Sequence, residues 1–246
     1  MRVRSARIST LAAFCVVALV GLLPPSTARA DSVVEGLDVA TSGVVWADVK
    51  NKGVAFTYMK ATQGRDSANP AFSELNNGAT AAGLFHGGYH VAAPDASAGR
   101  DQANFFVDHA GIRVVGSEND ANDVKTLPGA ILLRDGAKTN KCYGLSPQQM
   151  VEWLKEFSNT YNTRSKGWRP VIATTADWWK TCTGDSGEFG STNYLWLLHS
   201  ASSADELPTA WSVGTIAQYK VAGPNKGADR FNGDEAALEK FATTVH

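Results

Sequence analysis

Cysteine is scarce in this 246-residue chain, with Cys15, Cys142 and Cys182 the only three. No CxxC pair and no neighbouring histidine accompanies them, so a thiolate zinc site is not indicated. The five histidines, His86, His90, His109, His199 and His246, show neither HxH nor HExxH spacing. Metal catalysis is therefore disfavoured and no cofactor is expected. A Gly-rich phosphate fingerprint after a strand is also missing, which argues against nucleotide chemistry. There is no excess of basic charge, since 23 Lys and Arg stand against 24 Asp and Glu. Nucleic acid and anionic membrane surfaces are thus unexpected partners. Finally, no Pro/Ser/Gly-rich linker, low-complexity tract or repeat divides the chain, and one domain is expected.

One long apolar run is present, Leu11 to Leu23, preceded by Arg2, Arg4 and Arg7 and followed by Ala28-Arg29-Ala30. It is too short for comfortable membrane spanning and reads as an export leader, residues 1–30, cleaved after Ala30. The domain proper is then 31–246, and the protein is expected to be secreted. Four basic and no acidic residues leave with the leader, so the remainder carries 19 basic against 24 acidic residues, a formal charge of −5. Cys15 leaves as well. An even pair, Cys142 and Cys182, in an oxidising compartment reads as one disulfide. Closing a loop of about forty residues is worth about 3–4 kcal/mol in the chain-entropy model.

Strand-like runs alternate with amphipathic helical stretches. Gly36–Ala40, Ala55–Thr62, Leu84–Ala92, Ala130–Arg134 and Arg169–Thr175 read as strands, followed by helices over Val45–Lys52, Pro70–Ala82, Ala98–Ala110, Ser146–Tyr161 and around Trp178. Tyr194–His199 and Thr215–Tyr219 read as further strands joined by loops, and Asp234–Thr243 as a closing helix. Repeated β/α units imply a parallel sheet with right-handed crossovers. At this length the α/β reading favours an irregular eight-stranded TIM-like barrel, with an open doubly wound sheet as the alternative. A barrel would carry its site at the C-terminal strand ends.

Polar residues gather at those ends. Asp38 is near the end of the first strand and Gln63 follows the second; Tyr89 and His90 lie on the third; Arg134 and Asp135 close the fourth; Gln218, Tyr219 and Asp229 come late. Any one alone is more often a cap or a loop ligand, but convergence on one barrel marks a site. His86 and His90 share a strand face and also suit packed, hydrogen-bonded roles. Trp178 and Trp179 read as core.

The segments GLDVA, YMKATQG, GGYHVAAP, LPGAILLRD, CYGLS, VIATTADWWKTCTG and DRFNG occur in an order that resembles the family 25 glycoside hydrolases. These are muramidases that cleave peptidoglycan between N-acetylmuramic acid and N-acetylglucosamine. The resemblance implies a flattened (β/α)5β3 barrel, and it also implies the Cys142–Cys182 bridge. It implies an Asp-x-Glu pair on the fourth strand, within a segment like LPGVLDIE. Residues two apart share one strand face about 6–7 Å apart, so both carboxyls would reach one glycosidic bond.

Here that segment is LPGAILLR, and ungapped alignment between LPG and CYGLS puts Leu132 at the Asp position and Arg134 at the Glu position. A one-residue slip to recruit Asp135 would turn it to the other face of the strand. Further departures accompany the pair. Gln63 stands where the family has a carboxylate, Ala93 where it has an arginine, and Ala173 where it has an aromatic; Leu198 and Ser200 replace a small residue and an aromatic. Asp38, Tyr89, His90, Gln218, Tyr219 and Asp229 remain as sugar-site candidates beside Gln63 and Arg134. The expectation is a secreted member without glycosidase activity that binds peptidoglycan, another amino-sugar glycan, or a secreted protein partner. The alternative is an active N-acetylmuramidase using displaced carboxylates, drawn from Asp38, Asp135 and Asp229. An ion pair between Arg134 and Asp38 is expected across the pocket, since each would otherwise leave a charge unpaired.

Overall fold

A computed structural model describes residues 33–110, 125–136, 140–199, 206–221 and 226–245. The expected leader, residues 1–30, with its cleavage point after Ala30, lies outside the described residues, as does Ser200. The elements are β1 (Val33–Val39), α1 (Trp46–Asn51), β2 (Phe56–Gln63), the two-residue β3 (Ser67–Ala68), α2 (Phe72–Ala81), β4 (Phe85–Val91) and α3 (Gly99–Ala110). They continue with β5 (Ala130–Leu132), α4 (Pro147–Arg164), β6 (Val171–Thr174), α5 (Ala176–Thr183), β7 (Leu195–Leu197), β8 (Ile216–Val221), β9 (Lys226–Asn232) and α6 (Glu235–Thr243).

Local chemistry explains the helix boundaries. At α4 the Ser146 hydroxyl accepts from the Gln149 backbone N–H at 3.3 Å while the Gln149 side chain accepts from the Ser146 N–H at 2.9 Å. This capping box, with Pro147 at the first turn, satisfies donors that the helix itself cannot. Thr175 caps α5 through the Trp178 N–H at 3.1 Å, and Gly184 ends it at φ 65°, a left-handed conformation glycine adopts without strain. Asp234 caps α6 through the Ala237 N–H at 2.9 Å.

Strands β1, β2, β4, β5, β6, β7 and β8 run parallel in that order. Strand β9 lies antiparallel between β8 and β1 and closes an eight-stranded barrel; β3 pairs with β2 outside the ring. Five β/α units followed by three strands is the irregular barrel expected from the sequence, and closure excludes the open doubly wound sheet. Strand β9 itself was not expected. Its sequence, KGADRFN, has one large apolar side chain, Phe231, and it alternates buried and exposed positions through a glycine and an aspartate. Hydrophobic periodicity has little to register there.

Two buried clusters follow from strand alternation. Met59, Leu75, Phe106, Ile131, Leu154, Phe157, Ile172, Trp178 and Trp179 fill the layer between barrel and helices. Phe56, Tyr58, Tyr89, Ala130, Val171, Ala173, Trp196 and Ile216 fill the barrel, together with Leu238, Phe241 and Ala242 of α6 near the strand starts. Trp178 and Trp179 are core residues, 1% and 0% exposed. The Cys142–Cys182 disulfide ties the segment before α4 to α5. Among the described residues no helix is long and apolar enough to cross a membrane.

Candidate functional site

The interior face of each strand ends in a pocket of about 310 Å³ at the C-terminal mouth of the barrel. Asp38 from β1, Lys60 from β2, Tyr89 from β4, Leu132 and Arg134 from the β5 segment and Gln218 from β8 all line it. The i, i+2 relation of Leu132 and Arg134 puts both side chains on the pocket, while Asp135 is exposed and does not line it. A second pocket of about 390 Å³ shares Thr175, Leu198 and His199 with the first and extends over α5 to Leu207 and Pro208.

Beneath the pocket lies an acid pair. The Gln218 amide donates to Asp38 Oδ1 at 2.7 Å, and the Trp196 indole N–H donates to Asp229 Oδ1 at 2.9 Å. Asp229 is fully buried, and its Oδ2 has no partner as an ionised carboxylate. Burial first, and then the neighbouring Asp38, push the Asp229 carboxyl well above the usual range. Burial also raises Asp38. A proton on Asp229, donated to Asp38, satisfies the orphaned oxygen and removes the repulsion between the two groups. Gly227 makes room for this arrangement, because a Cβ there would strike the Asp38 carboxylate and the Gln218 amide. Under the pair, Trp196 stacks on Tyr58 with ring centroids 5.0 Å apart and meets Tyr89 edge-on at 6.2 Å.

The pocket also carries cations. Lys60 donates to the Gln63 side chain at 2.7 Å. Burial and then the Arg134 guanidinium hold the Lys60 ammonium below its ordinary pKa. Arg134 is exposed at the rim, and Lys226, also exposed, lines the pocket from the start of β9, between β1 and β8. Among the described residues no carboxylate lies within 4 Å of Lys60, Arg134 or Lys226.

Several sequence candidates are placed elsewhere. The Arg134–Asp38 ion pair is not formed: Asp38 is engaged by Gln218 deep in the mouth, while Arg134 stays at the rim. His90 follows Tyr89 on the strand and so faces the opposite way, into the layer under α3. Its Nε2 donates to Gln102 Oε1 at 3.0 Å and its Nδ1 accepts from Thr62 at 2.8 Å. Burial lowers its pKa to about 4. Tyr219 likewise turns away from Gln218, donates to Glu35 at 2.8 Å and lies under the Arg230 guanidinium. Gln63 touches the pocket only through Lys60. The residues that sequence reasoning missed are Lys60 and Lys226. Lys60 was legible, since it sits two positions beyond Tyr58 on one strand face; Lys226 belongs to the unexpected β9.

The pocket's position and the strand order can be set beside known proteins. The model of the glycosyl hydrolases family 25 matches residues 38–228. Lysozyme M1 of Streptomyces globisporus is 35% identical over 222 residues, covering 87% of this chain and 73% of that protein. An N,O-diacetylmuramidase of a Chalaropsis species is 36% identical over 217 residues, covering 85% of this chain and 99% of the relative. The crystal structure of the bacterial lysozyme from Streptomyces coelicolor superposes with a TM-score of 0.80 at 33% identity, over 87% of this chain and 99% of that one. With that match running from Asp38 on the first barrel strand to Ala228 on the last, this chain belongs to glycosyl hydrolase family 25.

Proposed function

We propose that this chain is an exported, non-hydrolytic member of the family whose barrel mouth binds a peptidoglycan-type glycan. One observation carries the reading. At the end of β5 the two side chains that face the pocket are Leu132 and Arg134, which leaves Asp38 as the only carboxyl lining it among the described residues. Glycoside cleavage needs an acid at the leaving oxygen and a second group to manage positive charge at the anomeric carbon. Arginine stays protonated throughout the neutral range and cannot serve as that acid. Its cation also opposes an oxocarbenium-like transition state. Names such as N,O-diacetylmuramidase among the relatives support the substrate class. Export is supported by the leader-like first thirty residues and by the Cys142–Cys182 bridge, which suits an oxidising compartment.

The Asp38–Asp229 pair favours a second reading, hydrolysis by displaced carboxylates. Against it, Asp229 lies sealed below the floor, whereas cleavage with retention uses carboxyls about 5–5.5 Å apart that both reach the sugar. Turbidity clearing of bacterial walls by the purified protein decides between them. The expected trace is that of buffer. Clearing by the wild type that Asp38→Asn abolishes would falsify the non-hydrolytic reading. Retention on insoluble peptidoglycan tests binding, and a failure to be retained favours a protein partner instead.

A further inference from the structure

We propose that the barrel mouth is a site for a carboxylate carried on a sugar, held by Arg134 and Lys60. The inference rests on the glycan-binding reading above and names the chemistry of its ligand. Three cations line one pocket in a chain whose formal charge without its first thirty residues is −5, so their gathering does not reflect composition. None has a carboxylate within 4 Å among the described residues, and the Lys60 ammonium has only a neutral amide oxygen at 2.7 Å. The Arg134 guanidinium is near enough to Lys60 to disfavour its ammonium charge, second to burial. Like charges held together without a counterion are relieved by an anion placed between them.

Asp38 does not supply that anion. Its oxygen is bonded to the Gln218 amide, and its carboxyl is coupled to the buried acid Asp229. The rest of the pocket suits a sugar rather than a bare ion. Leu132 and Leu198 form an apolar wall. Among the described residues the Tyr89 hydroxyl, which faces the pocket, has no hydrogen-bond partner. A ring lying along the leucines, with its carboxylate toward the guanidinium fork and a hydroxyl at Tyr89, satisfies each group. A neutral sugar leaves the cations unpaired, and a small inorganic anion leaves the apolar wall uncovered.

The carboxylate could be that of a uronic acid ring or the lactyl ether of a muramic residue. Calorimetric titration of the whole protein with two matched pairs separates them. One pair is a tetrasaccharide of alternating glucuronate and N-acetylglucosamine and its carboxyl-reduced form. The other is the N-acetylglucosaminyl-N-acetylmuramic acid disaccharide and its lactyl methylamide. In one pair the acid should bind about ten- to hundredfold tighter than its neutral partner, the range for hydrogen bonds to charged groups. The preference should shrink with added salt, and the responding pair identifies the source. Arg134→Gln and Lys60→Met should each remove the preference while thermal unfolding stays that of the wild type. Equal binding of acid and neutral forms in both pairs overturns the inference and leaves glycan binding intact. A preference that survives both substitutions overturns it too. Binding of inorganic phosphate alone, or of none of the four sugars, overturns it together with the glycan reading.

Discussion

Asp229→Asn is expected to stabilise the protein by an amount that grows with pH. The wild-type carboxyl is fully buried, accepts one bond from Trp196 at 2.9 Å and has no donor for its second oxygen. Its pKa is raised well above 3.8 by burial and by Asp38. Below pH 3.8 the folded and unfolded forms are both protonated and the group contributes nothing. As pH rises from there to the folded value, the unfolded chain releases a proton that the folded one keeps, and stability falls. The limiting slope is about 1.4 kcal/mol per pH unit. For a domain of this size that corresponds to about 3–6 °C of melting temperature per pH unit. Asparagine cannot ionise, keeps the acceptor for Trp196 and offers an N–H to Asp38.

His90 works in the opposite direction. Its pKa falls from 6.5 to about 4, so its contribution is complete above pH 6.5 and is lost as pH drops toward 4. The useful readout is therefore the difference in melting temperature between variant and wild type, measured by calorimetry from pH 4 to 7, because His90 is common to both. That difference should widen with pH until Asp229 ionises. Parallel curves across the range would mean that Asp229 is already ionised in the folded protein, and the acid-pair account would fail.

Other expectations can be checked separately. Leu132→Asp combined with Arg134→Glu should raise wall clearing by about 10²-fold or more over the wild type, the usual contribution of a positioned acid; no gain in a folded double variant would show that the loss extends beyond β5. Cys142→Ser with Cys182→Ser should cost about 3–4 kcal/mol for a loop closed across 40 positions, read by urea unfolding. Arg134→Gln should shift the Lys60 ammonium back upward in an NMR titration, though not to its ordinary value, because burial is the larger cause. The His90 ring should remain neutral until the pH approaches 4 in the same experiment.

Much of the barrel was legible because its parallel strands are buried on both sides and read as apolar runs, as Ala130–Leu132 does, with helices marked by caps such as Ser146. The facing of β5 was legible too, since Leu132 and Arg134 are two apart and both line the pocket. Two features were not. Strand β9 has too few apolar residues to declare itself, and it is recognisable only from its pairing with β1 and β8. Sequence alone offers both members of the neighbour pairs Tyr89–His90 and Gln218–Tyr219 to the site, although consecutive strand residues cannot share a face. In each pair the first member faces the pocket and the second binds elsewhere. The absent Arg134–Asp38 pair has a similar cause. Sequence places both residues at strand ends but says nothing of depth, and Gln218 reaches Asp38 first.

Closure by β9 also bears on how the protein comes into being. The bond from Gln218 to Asp38 joins positions 180 apart, and Arg230 reaches back to Glu35 across 195. Contacts of that range form late, after most of the chain's freedom has been surrendered. A nascent chain lacking its last strand would leave β1 with one edge bare and Asp38 without Asp229 beside it. The acidic floor of the mouth is thus a timestamp: it exists only once the final strand has docked, and a molecule that carries it has finished folding.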